Sequence, residues 1–118
     1  MENNFKELDD KLHDLLDLMH KRIEEATETK KLAEIIQISL SMSGGAYKAL
    51  LGGKLLPERI EPAIKQYFEC VKIIVEANYK ATKMLNPNIE IPSIEEQYAE
   101  ELEKEQNQKI QRLYPQYF

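Results

Sequence analysis

The sequence predicts an all-α protein: a helical bundle of three to four helices, the last one weakly amphipathic and available as an arm. Three observations carry this. Helix breakers are scarce, with 4 Gly and 5 Pro in 118 residues and none of them between residues 5 and 43. Apolar residues recur at helical spacing over long stretches. Only one short stretch alternates like a strand, and it has nothing to pair with.

Taken in order, Phe5, Leu8, Leu12, Leu15, Leu16, Met19, Ile23 and Ala26 fall on one broad face of a helix over 5–26. From Leu32 onward the apolar set would point to nearly the opposite side if the helix continued in phase. A break at "TETKK" (27–31) is therefore expected, with Thr27 or Thr29 as N-cap. The alternative is one long helix over 5–43 that changes partners halfway, a route to an intertwined dimer. "IIQISLSM" (35–42) alternates apolar and polar residues, but an isolated strand would leave its backbone groups unpaired, so helix is expected.

"LLPERIEP" (55–62) reads as a helix entry, with Pro57 or Pro62 at the first helical position. The helix to Leu85 has the strongest pattern. Ile64, Tyr67, Phe68, Val71, Ile74, Val75 and Leu85 form its apolar stripe, and Asn78 lies within it. Cys70, Ile73, Ala77 and Met84 widen the apolar side, which makes this the expected central helix, with Phe68, Val71 and Ile74 buried. Glu61, Lys65, Glu69, Lys72, Glu76 and Lys80 form the opposite face, with favourable i,i+4 charge pairs. "NPNIEIP" (86–92) ends the helix.

"SIEE" (93–96) is a capping box that opens a fourth helix over 94–113. Its apolar face is thin: Ile94, Tyr98, Leu102, Ile110 and Leu113. "EELEKEQNQK" (100–109) has one apolar residue in ten, the composition of a solvated helix or of an arm that needs a partner. The organisation expected is a bundle core over 1–92 and a charged helix with an aromatic tail over 93–118.

Net charge is −5, which gives no general attraction to nucleic acid or to an anionic membrane. The charge is uneven: −4 over 1–47, +3 over 48–83 and −4 over 84–118. Complementary packing of helices, within or between subunits, accounts for this pattern. Cys70 stands alone, so no intramolecular disulfide forms. The opening "MENNFKELDD" is acidic and unlike a signal peptide, and no apolar run reaches the ~20 residues of a membrane span. A cytoplasmic location is expected.

All four glycines lie in "SMSGGAYKALLGGKL" (41–55). A phosphate-binding P-loop would need Ser or Thr after Gly53-Lys54, where Leu55 stands. A looser anion nest at "SMSGG", helped by Ser41, Ser43 and Lys48, is the functional alternative. The structural expectation is that Gly52-Gly53 closes a helix. Ser39, Ser43, Ala46, Ala49 and Gly52 would form a small-residue patch for close helix packing, and Gly44-Gly45 would belong to it or mark a kink. His13, Asp17, His20 and Glu24 form a helical stripe that could ligate zinc at a subunit interface. The stripe lies opposite the apolar face, so a solvated row is the plain expectation. Cys70 beside the apolar stripe should be an inert thiol.

"LDDKLHDLL" (8–16) resembles the opening helix of the all-α chorismate mutases. Where that family carries its arginine and its later Arg-Glu pair this chain has Met19 and Met42-Ser43, with only Lys30 retained, and the family is rejected. The all-α nucleotide pyrophosphohydrolases are excluded too, since every Asp lies at or before Asp17 and no later E-x-x-D motif exists. No catalytic constellation or cofactor motif is found. The expected role is protein–protein interaction, as a regulator, inhibitor or assembly factor of a larger partner, with self-association. Tyr114, Tyr117, Phe118, Leu102 and Ile110 are the candidate contact residues. The alternative is an oligomeric nucleic-acid-associated accessory protein that uses the basic 48–83 segment.

Overall fold

A computed structural model describes residues 2–118, with side chains from Phe5 onward. Among the described residues the protein is all-helical. Its elements are α1 (Glu2–Glu25), α2 (Thr29–Gly52), α3 (Pro57–Leu85), α4 (Ile94–Leu102) and α5 (Glu105–Leu113), followed by a 3-10 turn over Pro115–Tyr117. Short connections at 26–28 and 53–56 make α1, α2 and α3 an up-down-up bundle. Asp9 meets Arg59 at one end, and the C-terminus of α1 meets Lys80 at the other, so α1 and α3 run parallel. At 1.5 Å per residue α3 spans ~43 Å, which sets the long dimension of a 49 × 29 × 18 Å molecule.

The expected break after α1 is present, but neither threonine caps α2. Glu28 holds the N-cap position in an extended conformation (φ −129°, ψ 139°) without a side-chain cap bond, and Thr29 is already helical. The ammonium of Lys80 ends α1 instead, by donating to the carbonyls of Ile23 (2.7 Å) and Glu24 (2.8 Å). A cation there also complements the helix dipole.

Helix α2 explains the alternating stretch. Its buried residues are Leu32, Ile35, Ser39, Ser43, Ala46 and Leu50, spaced by three and four. Ile38 and Leu40 go to opposite flanks and are exposed, so the alternation marks two sides of one helix. Gly53 closes the helix with φ +64°, the left-handed conformation glycine adopts without strain. The other glycines correct the packing expectation. Gly44, Gly45 and Gly52 are all helical, and a Cβ added at any of them meets nothing within 4 Å.

Helix α3 starts with Pro57 at its N-terminus and runs through Pro62. As expected it is central, packing against α1, α2 and α4. Its buried residues are Ile64, Tyr67, Cys70, Val71, Ile73, Val75 and Ala77, and those from Ile73 and Val75 lie on nearly opposite sides of the helix. The expected apolar stripe needs correction at four positions. Phe68 and Ile74 are only half-buried, and Asn78 and Leu85 are exposed. Three neighbours, rather than one, share the burial around the helix, so a single stripe does not describe it.

The core forms two clusters. One joins Leu16, Met19 and Ile23 of α1 to Leu32 and Ile35 of α2 and to Cys70, Ile73 and Ala77 of α3. The other joins Ala46, Leu50, Ile64, Tyr67 and Val71 to Ile110 of α5. The C-terminal segment corrects the expected helix count. The single helix expected over 94–113 is two, interrupted at Glu103 and Lys104, which gives five α-helices where three to four were expected. In one continuous helix Asn107 would lie far around from Leu102. The interruption turns Asn107 inward, where it is 2% exposed.

Two sets of substitutions test this packing. Ile73→Ala, at a fully buried site, should cost about 2–5 kcal/mol in chemical denaturation, whereas half-buried Phe68→Ala should cost less than the roughly 3–5 kcal/mol of a buried phenylalanine. Gly44→Ala and Gly45→Ala should each stabilise α2 by about 1 kcal/mol, because helix propensity rises and no clash results. Gly53→Ala should destabilise by about 1 kcal/mol or more through its positive φ. Destabilisation by alanine at 44 or 45 would contradict the open space over those residues.

Candidate functional site

The polar chemistry of the molecule concentrates where α1 lies along α3. Glu69 and Glu76 are seven residues apart, so both project from one side of α3 toward α1. The imidazole of His20 lies between them. Its Nδ1 is 2.8 Å from Glu76 Oε2 and its Nε2 is 2.7 Å from Glu69 Oε1. Burial lowers the pKa of His20, but the hydrogen bonds and charges of Glu76 and Glu69 outweigh it and hold the pKa above the ordinary 6.5. Lys80, one turn beyond Glu76, holds the end of α1. At the other end the Arg59 guanidinium makes a two-bond pair with Asp9 (2.9 and 3.1 Å) and sits 4.7 Å from the centre of the Phe5 ring.

These contacts correct two expectations. Glu69, Glu76 and Lys80 belong to the charged face expected opposite the apolar side of α3, and His20 to the supposed solvated stripe of α1. All four lie between the helices and are half-buried. The signal in the sequence was the seven-residue spacing of Glu69 and Glu76 against a histidine near the end of α1. The rest of the stripe does not converge on His20. His13 pairs with Asp17 in solvent at 3.3 Å, and Glu24 is exposed. Among the described residues no group of three His, Cys, Asp or Glu side chains is placed to hold a metal ion. Cys70 is fully buried, and burial, with a contribution from Glu69, pushes its thiol up to about 11, which leaves it unreactive.

The small-residue patch divides. Ser39, Ser43 and Ala46 are buried along α2, Ala49 is half-buried, and Gly52 is exposed. Gln66 Nε2 of α3 donates to the Met42 carbonyl at 3.2 Å, which fixes the approach of the two helices. Ser43 Oγ donates to Leu40 O at 3.1 Å, while Ser39 Oγ is buried without a hydrogen-bond partner among the described residues. Beside this patch a cleft of about 390 Å³ opens between α2, α3 and the α4–α5 junction, lined by Leu40, Gly44, Tyr47, Val71, Ile74 and Lys104 among others.

The structure distributes the candidate contact residues of the C-terminal segment between core and surface. Ile110 is fully buried, Leu102 is half-buried, and Tyr114 donates its hydroxyl to Leu50 O at 2.5 Å. Tyr117 and Phe118 are exposed, although the Phe118 ring meets Phe68 edge-on with centroids 5.6 Å apart. Asn107, which the sequence reading missed, anchors the segment. Tyr67 donates to its Oδ1 at 2.6 Å, and its own amide donates to the Glu101 carbonyl. Burial first, then the charges of Tyr47 and Glu101, raises the Tyr67 phenol to about 12, so it remains a donor at neutral pH.

Asn107→Ala should therefore cost about 1–3 kcal/mol, since it leaves a buried tyrosine hydroxyl without its acceptor. Hydrogen exchange should show lost protection concentrated in 105–118. Exchange unchanged in that segment would remove Asn107 from its anchoring role.

Comparison with protein-family models, with curated proteins and with solved structures finds no match to this chain.

Proposed function

We propose that the protein works by protein–protein contact, as a self-associating regulator, inhibitor or assembly factor of a larger partner in the cytoplasm. The observation that supports this reading is an open apolar face on the side of α1 away from α3. Leu8, Leu15 and Leu18 are 56%, 41% and 42% exposed and lie within one quadrant of the helix. Two clefts adjoin α1, one between α1 and α2 and the other where α1, α2 and the first turns of α3 meet. One is lined by Arg22, Ala26, Ile35 and Ile38, and the other by Leu12, Gly45, Ala49 and Leu55 among others. Open space over Gly45 and the short side chain of Ala49 would let an incoming helix approach closely. Leu40, Tyr117 and Phe118 add exposed apolar surface elsewhere.

The nucleic-acid alternative finds less support. Much of the basic charge of 48–83 is engaged within the fold: Arg59 with Asp9, Lys65 with Glu61, Lys80 with the end of α1 and Lys83 with Ile89 O. Lys48, Lys54 and Lys72 are exposed, but they lie on α2, on the α2–α3 connection and on α3, not in one cluster. Salt-sensitive binding to DNA would restore this alternative.

The contact reading makes a direct prediction. The solution mass should exceed the monomer value of 13.8 kDa and rise with concentration. Leu15→Lys with Leu18→Lys should return it toward the monomer while leaving the helical circular dichroism unchanged. A wild-type protein that stays monomeric and captures no partner through this face would refute the proposal.

A further inference from the structure

We propose that His20 is a pH-sensitive clamp that sets how firmly α1 is held on the rest of the bundle. The geometry is that of an imidazolium. Both ring nitrogens face carboxylate oxygens of α3, at 2.7 and 2.8 Å. A protonated ring donates to Glu69 and to Glu76 at once. A neutral ring has one N–H and one lone pair, so one bond is lost and a lone pair is turned against a carboxylate. The clamp sits in the last third of α1, one turn before the carbonyls that Lys80 holds and about three turns beyond the Asp9–Arg59 pair.

The charged surroundings of the ring leave the two glutamates in control. Glu69 and Glu76 are the charges of α3 that bond to it, and both favour the protonated form. Lys72 of α3 is exposed, and Lys80 is engaged with the carbonyls of Ile23 and Glu24. On α1, Asp17 and Glu24 lie one turn to either side and are exposed; Asp17 pairs with His13. Helix α2 brings uncharged Leu32, Ile35, Ile36 and Met42 to the shared cluster. Tyr98 of α4 is within the electrostatic influence of Glu69.

The direction follows from the geometry. Below pH 6.5 the ring carries its proton in both the folded and the unfolded chain, and the clamp contributes fully. As pH rises through the higher folded-state value the proton leaves and the contribution is lost. Weakening the clamp favours openings of α1 that uncover Leu16, Met19 and Ile23, the α1 share of the first core cluster. Alkaline conditions thus loosen α1, and acidification toward pH 6 fastens it.

The test combines a histidine NMR titration with amide exchange in α1 between pH 6 and 9, corrected for intrinsic exchange rates. The His20 midpoint should lie above 6.5, and the opening equilibrium of α1 should rise about tenfold for each unit of that elevation. His20→Gln should abolish the rise, and His13→Gln, which alters a pair within α1 alone, should retain it. Glu76→Gln should lower the His20 midpoint and shrink the rise, which keeps the test decisive if His20→Gln folds poorly. A His20 midpoint at or below 6.5, or an unchanged pH dependence in the His20 and Glu76 variants, overturns the clamp.

Discussion

Everything else in the molecule rests on the antiparallel packing of α2 against α3, its most extensive helix–helix contact. Small side chains make close packing possible. Ser39, Ser43 and Ala46 hold the middle of the α2 face, with Leu32, Ile35 and Leu50 toward its ends. Gln66 ties the pair together by donating to the Met42 carbonyl. The close packing makes α2 and α3 an antiparallel hairpin, which offers α1 and α4–α5 separate sides of α3.

The elements added to the hairpin use a different kind of attachment. Helix α1 contributes Leu16, Met19 and Ile23 to the core, but its position along α3 is set by polar groups: Asp9 on Arg59, His20 on Glu69 and Glu76, and two terminal carbonyls on Lys80. Helix α5 adds Ile110 to the core and is oriented by Asn107 and by Tyr114. Apolar burial is non-directional and would tolerate slippage of one helix along another. Hydrogen bonds and paired charges fix the register because they are directional and costly to leave unmade.

The same division shapes the functional reading. With α3 covered by three neighbours, half of the large apolar side chains left exposed belong to α1 and α2, and the rest to the connections, the end of α3 and the C-terminal segment. Leu8, Leu15 and Leu18 lie on the helix that His20 fastens, so the element that carries the proposed contact face is also the one whose attachment varies with pH. The aromatic end of the chain is partly taken up by the fold, through Tyr114 and the Phe68–Phe118 contact.

The sequence by itself determined the helical class, the break after α1, the helical state of 35–42, the close of α2 by the second glycine pair and the central place of α3. These follow from local periodicity and from backbone preferences that act within a few residues. It also carried the Ser93–Glu96 entry to α4, where the Ser93 hydroxyl accepts the Glu96 N–H at 3.2 Å. Only the tertiary structure decided where the charged residues go. A helix pattern sorts side chains into faces but does not say that Glu69, Glu76 and Lys80 will meet a second helix instead of water, nor that His20 will stand between two of them. Asn107 escaped for the same reason: its burial depends on Tyr67, forty residues away in the chain, and on a break in the helix that brings the two together. Partners distant in sequence leave no periodic signal, and polar pairs between helices become visible only when the helices are assembled.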